Sequence, residues 1–371
     1  MVKISRQKSG FDFWLLGAFI ALVLIGAATL TSAGTAIGYQ TFNDSYYFIK
    51  HQLLKGLLPG LALFIALTFI NYRFWKKISP IFLFVSIALL ILVFIPGLSL
   101  TFNNSKSWVN VGPFSFQPAE IVKLLFILYL AGWLSKQPDE KIKSFSYGFL
   151  PFIFLVGIIS ILIIMQPDVG TLSVLLVAAF CAYFVRGANW KHVILLITLG
   201  LAAFVILIKI APYRTERLMT FLHPELDPQG IGYHINQAFL AIGSGGFWGR
   251  GFGHSRQKFQ YLPETTGDSI FAVFAEELGF VFSVLLIALF IFLAFRIYKL
   301  LKEQDDQFAK LVCAGILGWF LFQSFYNIGS MIGVLPMTGI PLIFISYGGT
   351  SVLSAMAAMG ILMNISRKKQ R

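Results

Sequence analysis

The 371 residues are 57% hydrophobic and only 12% charged, with a mean hydropathy of +0.79 and a net charge of +13. A soluble domain carries about 25% charged residues, whereas several runs here reach the ~20 apolar residues that cross a ~30 Å hydrocarbon core. A water-soluble globule is excluded, an all-α polytopic membrane protein is expected, and the charge calls for no nucleic-acid partner because it clusters between apolar runs.

Lys3, Arg6 and Lys8 precede a first apolar run longer than the ~7–15 residues of a cleavable signal, so it is expected to remain as an anchor. Ten spans are predicted in chain order, over residues 12–33, 47–70, 78–98, 118–135, 147–165, 169–186, 191–211, 270–300, 308–331 and 340–364. Basic clusters follow the second span (Arg73, Lys76, Lys77), the fourth (Lys136, Lys141, Lys143), the sixth (Arg186, Lys191) and the eighth (Arg296, Lys299, Lys302, Lys310). Both tails are basic as well. The positive-inside rule therefore places both termini in the cytoplasm.

The connections 34–46, 99–117, 166–168 and 332–339 then face outward as short or modest loops. Residues 212–268, between the seventh and eighth spans, are far longer and rich in Tyr, Phe, Trp and Leu as well as charge. They are expected to form an ordered, functional extracytoplasmic loop within a single polytopic domain covering 1–371. Cys181 and Cys313 lie inside apolar runs and read as small buried hydrophobes. The histidines lack metal-ligand spacing, and there is no P-loop or dinucleotide fingerprint, so no nucleotide or organic cofactor is expected.

Charged residues near the ends of spans are candidates for function. Glu120 and Lys123, three residues apart in QPAEIVKLL, share a helix face. Asp168 follows Pro167 at an outer turn, and Asp268 opens the eighth span. Lys123 is expected to meet Asp268 across the bundle and hold it ionised. Glu276 lies eight residues beyond Asp268, about 12 Å away if helical. Glu276 and Glu277 therefore read as buried supports for the helix that carries it. The long loop brings Arg214, Arg217, Gln237, Arg250, Arg256 and Lys258 to the same side. Arginines beside Gly-rich backbone suit a phosphate or pyrophosphate headgroup. The residues by themselves predict an outward cavity with fixed cations and a carboxylate able to act as general base on an anionic, lipid-linked substrate.

QPAEIVK, MQPDVGT, FLHPELDPQGIGYHINQAFLAIGSGG, SRQKFQYLPETTGDSIFAVFAEELGF and GVLPMTGIPLIFISYGGTS occur in this order. Together they resemble the SEDS (shape, elongation, division and sporulation) family of FtsW and RodA over nearly the whole chain. Ser255-Arg256-Gln257-Lys258 is similar to the division branch, FtsW. The resemblance implies a peptidoglycan glycosyltransferase that polymerises lipid II at the outer face of the bacterial cytoplasmic membrane. It makes Asp268 the catalytic acid and Arg214, Arg217, Glu264, Lys258, Gln237, Trp108 and Ser346 substrate contacts. Lys123, Glu120 and Asp168 become supporting residues. It also implies a class B penicillin-binding protein as partner, beside other division proteins, and admits a divalent cation, Mg or Mn. The chain departs from the family pattern at Thr266-Gly267-Asp268 (commonly His-Thr-Asp), at Ser269 (Phe), at His234 (Gln) and at Ala238 (Ser). A lipid II flippase and a RodA-type elongation polymerase are the competing readings. A flippase needs ionisable groups along its whole path, whereas these crowd one half.

Overall fold

The computed structural model describes residues 10–102, 105–112, 114–210 and 212–367. It is mainly helical: α1 (Phe13–Ala33), α2 (Thr35–Phe42), α3 (Tyr47–Phe69), α4 (Tyr72–Leu92), α5 (Pro118–Leu134), α6 (Asp139–Lys143), α7 (Phe145–Ile164), α8 (Val169–Val185), α9 (Trp190–Ile210), α10 (Pro212–Leu222), α11 (Ile231–Gly245), α12 (Ile270–Lys302), α13 (Gln307–Met331) and α14 (Gly349–Arg367). Seven of these, α1, α3, α4, α7, α12, α13 and α14, are long and apolar enough to cross a membrane. α8 and most of α9 are shorter apolar helices. The chain is thus a multi-pass membrane protein.

α13, α14 and α5 form the centre, with α8, α4, α3 and α12 packed around them. Small residues allow the close approach: a side chain at Gly315 would meet Ile127 at 2.6 Å, and one at Gly318 would meet Cys181 at 2.8 Å. Cys181 and Cys313 are both free thiols.

Two contacts frame one crossing. Ser32 donates to Glu277 Oε1 at 2.6 Å near the end of α1, and Arg296 pairs with Asp12 at 2.6 Å at its start. Between Asp12 and Ser32 the chain advances 20 residues along α1, or ~30 Å at ~1.5 Å per residue, close to one hydrocarbon thickness.

The structure corrects four expectations. The third span runs 72–92 rather than 78–98, because Asn71 caps the helix by accepting from Arg73 N (3.1 Å), which places Arg73, Lys76 and Lys77 inside the first turns. The connection 99–117 is a three-stranded antiparallel sheet, β1 (Ser99–Phe102), β2 (Ser105–Val111) and β3 (Phe114–Phe116), in which alternating apolar and polar residues favour strand over loop. The last helix begins at Gly349 rather than near 340. Residues 339–348 instead form a mostly buried irregular segment, in which Gly339 and Phe344 take positive φ and Pro341 removes a donor.

The fourth correction is a break in α12 at Gly279 (φ +80°, ψ −174°). The residues after α11 fill this break. Phe280 N donates to Gly246 O (2.8 Å), and Val281 N to Phe247 O (3.2 Å). In return Arg250 N and Gly251 N donate to the carbonyls of Glu276 and Glu277 at 3.0 and 2.9 Å. The opened helical groups are thereby satisfied inside protein, as a membrane-level break requires.

Candidate active site

The segment Glu264–Ser269 is a tight loop. Glu264 takes φ +50°, and its carbonyl accepts from Gly267 N (3.0 Å) and Ser269 N (3.2 Å). Three successive carbonyls are then pinned from the C-terminal part of the chain. Tyr347 N donates to Thr266 O at 2.8 Å, Ser346 Oγ to Gly267 O at 2.7 Å, and Asn327 Nδ2 to Asp268 O at 2.8 Å. Asn327 also reaches Ile340 O, and Gln52 of α3 brackets the turn through Ser346 O and Gly348 N. These bonds take up main-chain carbonyls and leave Asp268 Oδ1 without a partner among the described residues.

The neighbouring wall is built from the starts of α5 and α8. Gln117 Nε2 donates to Asp168 Oδ2 (2.8 Å), while Asp168 Oδ1 accepts from Thr171 N (2.9 Å) and so caps α8. Burial pushes the Asp168 carboxyl upward.

Glu120 and Lys123 form a fully buried pair at 2.8 Å. The ammonium also donates to Gln323 Oε1 (2.8 Å) and lies 4.9 Å from the Trp319 ring centroid. No ion pair joins Lys123 to Asp268 among the described residues, contrary to expectation. The reason is register: Lys123 meets Gln323, whereas Asp268 is held by Asn327, one turn further along α13 and about 6 Å away. The link between them is indirect, through Gln323 and Asn327, which bind the carbonyls of Pro341 and Ile340.

Asp268, Glu264, Asp168, Arg217, His234 and Trp108 face a common cavity of about 480 Å³. A second cavity of about 310 Å³ shares Asp168, Arg217 and Met337 and runs on past Phe204, Ile208 and Leu218. Asp268 Oδ1 is buried and has no hydrogen-bond partner among the described residues. Burial, then the charge of Glu264, pushes the Asp268 carboxyl up to about 7, opposed by its own main-chain N–H, by Arg217 and by the N–H of Ser269. Arg217 reaches the site from α10 and is exposed. Arg214 lies three residues before it on α10, and its side chain falls outside the described residues.

Three predicted contacts do not face the cavity. Lys258 is 3% exposed and binds Glu277 Oε1 (2.9 Å), Ser32 Oγ (2.9 Å) and Gly253 O (2.8 Å). Glu276 accepts from Ser255 Oγ (2.5 Å) and from the main-chain N–H of Arg256 (2.9 Å) and Gln257 (3.2 Å). The segment 255–258 that promised phosphate donors is therefore anchored to carboxylates. Ser346 gives its hydroxyl to Gly267 and is 2% exposed. Gln237 lies on α11 beyond His234, away from the cavity lining.

Sequence reasoning missed Gln117, His234, Gln323 and Asn327 as builders of the site. Gln323 and Asn327 carried a readable signal, two amides four residues apart in an apolar helix, hence on one face.

Among the described residues no three His, Cys, Asp or Glu side chains are grouped to hold a metal. A divalent cation here would take one or two carboxylates and complete its shell with ligand phosphates and water. Glu264, exposed beside the unpartnered Asp268 oxygen, fits that arrangement.

A helical bundle with a charged cavity gathered at one end of its helices defines a multi-pass membrane protein with a polar cavity. The chain belongs to the FtsW/RodA/SpoVE family of cell cycle proteins, whose model it matches over residues 13–371. It is 38% identical to stage V sporulation protein E of Bacillus subtilis, covering 98% of this chain and 99% of that one. It is also 38% identical to the probable peptidoglycan glycosyltransferase FtsW of Nitrosomonas europaea, over 97% and 94% of the two chains. Among solved structures it resembles a chain of a peptidoglycan synthase complex that coordinates polymerization and crosslinking, with a TM-score of 0.80 and 28% identity over 97% and 98%. Rod shape determining protein RodA of Thermus thermophilus matches with a TM-score of 0.72 and 28% identity over 98% of each chain.

Proposed function

We propose that this protein is a peptidoglycan glycosyltransferase of the division type. It polymerises lipid II, the undecaprenyl-pyrophosphate-linked disaccharide pentapeptide, with Asp268 as general base. The observation that carries the reading is the Asp268 carboxyl on the wall of the shared cavity: its backbone is pinned, one oxygen has no partner among the described residues, and burial pushes it up to about 7. A base poised near the working pH contributes typically ~10²–10⁴-fold.

In the reaction the C4 hydroxyl of the acceptor sugar gives its proton to Asp268 as the oxygen attacks C1 of the donor. The C1–O bond to pyrophosphate breaks, and undecaprenyl pyrophosphate leaves with the electron pair. Arg217, and Arg214 on the same helix, stabilise the developing phosphate charge. A bound divalent cation would add to that stabilisation. The apolar second cavity suits a prenyl chain entering beside Arg217.

The ten-crossing layout with both termini cytoplasmic draws support from charge placement. Arg73, Lys76, Arg186, Arg296 and Arg367 lie at the helix ends opposite those that build the cavity, so the cavity faces outward. The same crowding at one end speaks against a flippase. A class B penicillin-binding protein is the proposed partner, since a similar chain sits in a complex that joins polymerization to crosslinking. The division role rather than RodA-type elongation rests on the FtsW-like 255–258 segment.

The test is glycan-strand formation from lipid II by the purified protein, with and without that partner and Mg²⁺. Asp268→Asn should fold and bind lipid II yet form no polymer. Polymer from that variant would remove Asp268 from the base role.

A further inference from the structure

We propose that His234 is a positioning residue for this transfer, acting through Ser269 and Pro263 to hold the loop that presents Glu264 and Asp268. The inference rests on the polymerase reading and extends it to a residue that never touches the reacting atoms.

The C-terminal segment grips the loop from one side, through the carbonyls of residues 266, 267 and 268. His234 grips it at both ends, from α11. Its Nε2 meets Ser269 Oγ at 2.5 Å, and the Pro263 carbonyl accepts from the ring. A carbonyl only accepts, so the ring donates toward Pro263 while Nε2 pairs with the Ser269 hydroxyl. One neutral imidazole, one donor and one acceptor, thus spans the residues immediately flanking the two carboxylates. Burial pushes His234 down to about 4, which keeps the ring in this neutral form.

Two further observations agree. Ser269 occupies the N-cap position of α12, where a serine ordinarily bonds the helix N–H groups, yet it makes no such cap and is fully buried on His234. Glu264 holds a positive φ without being glycine, a conformation that persists only when the surroundings over-determine it. The clamp therefore fixes the separation of Glu264 and Asp268 across the cavity mouth. Its loss leaves the substrate site in place but loosens the base.

The test has kinetic and structural arms. His234→Ala should lower kcat for polymerisation roughly 10- to 100-fold, the scale of an ångström misplacement, with KM for lipid II unchanged. His234→Gln, which again offers one donor and one acceptor, should restore most of the rate. Ser269→Ala should reproduce His234→Ala, and the double variant should be no worse than either alone. Hydrogen exchange at the Gly267 and Ser269 amides should quicken in His234→Ala and Ser269→Ala but not in His234→Gln. Wild-type kcat in His234→Ala, additive losses in the double variant, a change confined to KM, or unaltered amide exchange would each overturn the proposal. Inactivity of the wild-type protein, or polymerisation by Asp268→Asn, would instead sink the polymerase reading, and the exchange arm would still decide the clamp.

Discussion

Asn327 donates one hydrogen of its amide to the main-chain oxygen of Asp268 and the other to that of Ile340, both at 2.8 Å. A single side chain thus ties the loop carrying the proposed base to the irregular segment before α14. Asn327→Leu would leave two buried carbonyls without donors, at about 1–3 kcal/mol each. The expected outcome is a lowered unfolding temperature in detergent together with a fall in polymerisation rate. Asn327→Gln, too long for both bonds, should lose more rate than stability.

Polymerisation should depend on pH through Asp268. Only the carboxylate accepts a proton, so the rate should be half-maximal near pH 7 and fall about tenfold per unit below it. Arg217 pulls the value down, so Arg217→Ala should move the midpoint above 7. Stability runs the other way. The folded-state value lies above the ordinary carboxylate value of 3.8, so charging is disfavoured in the fold and stability is lost as pH rises from about 4 through 7. Asp268→Asn should therefore be the more stable protein at pH 8, with the advantage vanishing below pH 4. Thermal melts at the two pH values check this.

The pair Lys258–Glu277 should behave as an anchor. Each side chain is 2% exposed, so Lys258→Met alone leaves a buried carboxylate uncompensated and should cost about 3–5 kcal/mol. The double change Lys258→Met with Glu277→Gln should recover a large part of that loss. A Lys258→Met protein of normal stability but weakened lipid II affinity would return Lys258 to the cavity.

Gly279 cannot be replaced cheaply. Its φ of +80° disfavours any side chain by roughly 1–3 kcal/mol, and a Cβ there would collide with the nitrogen of Gly249. Gly279→Ala should destabilise the protein in detergent and disorder the 246–251 segment, detectable as faster amide exchange at Arg250 and Gly251.

Apolar runs revealed most of the helices because the bilayer length scale is written directly in residue counts, as α1 and α13 illustrate. Glu120 and Lys123 were legible as a pair because three residues on a helix bring side chains together. The partner of Lys123 was not legible. That depends on the register between α5 and α13, which no local spacing encodes, and it fell to Gln323 rather than Asp268. Lys258 misled for a related reason. A basic residue in a polar loop carries the same local signal whether it faces a ligand or reaches back to Glu277 and Ser32. His234 stood out only as a departure from the resembled pattern, and its role was not legible because it lies in meeting Ser269, 35 residues away.

The two locks at either end of α1, Asp12 with Arg296 and Ser32 with Glu277, set a ruler about 30 Å long. Hydrophobic mismatch therefore has a defined point of action. A thinner bilayer would bring water to the buried Lys258–Glu277 pair, and a thicker one would draw these charges toward hydrocarbon. Both strain the segment that closes the Gly279 break. Reconstituted activity should accordingly peak in lipids whose acyl chains match that length and decline on either side, making membrane thickness a control on the enzyme.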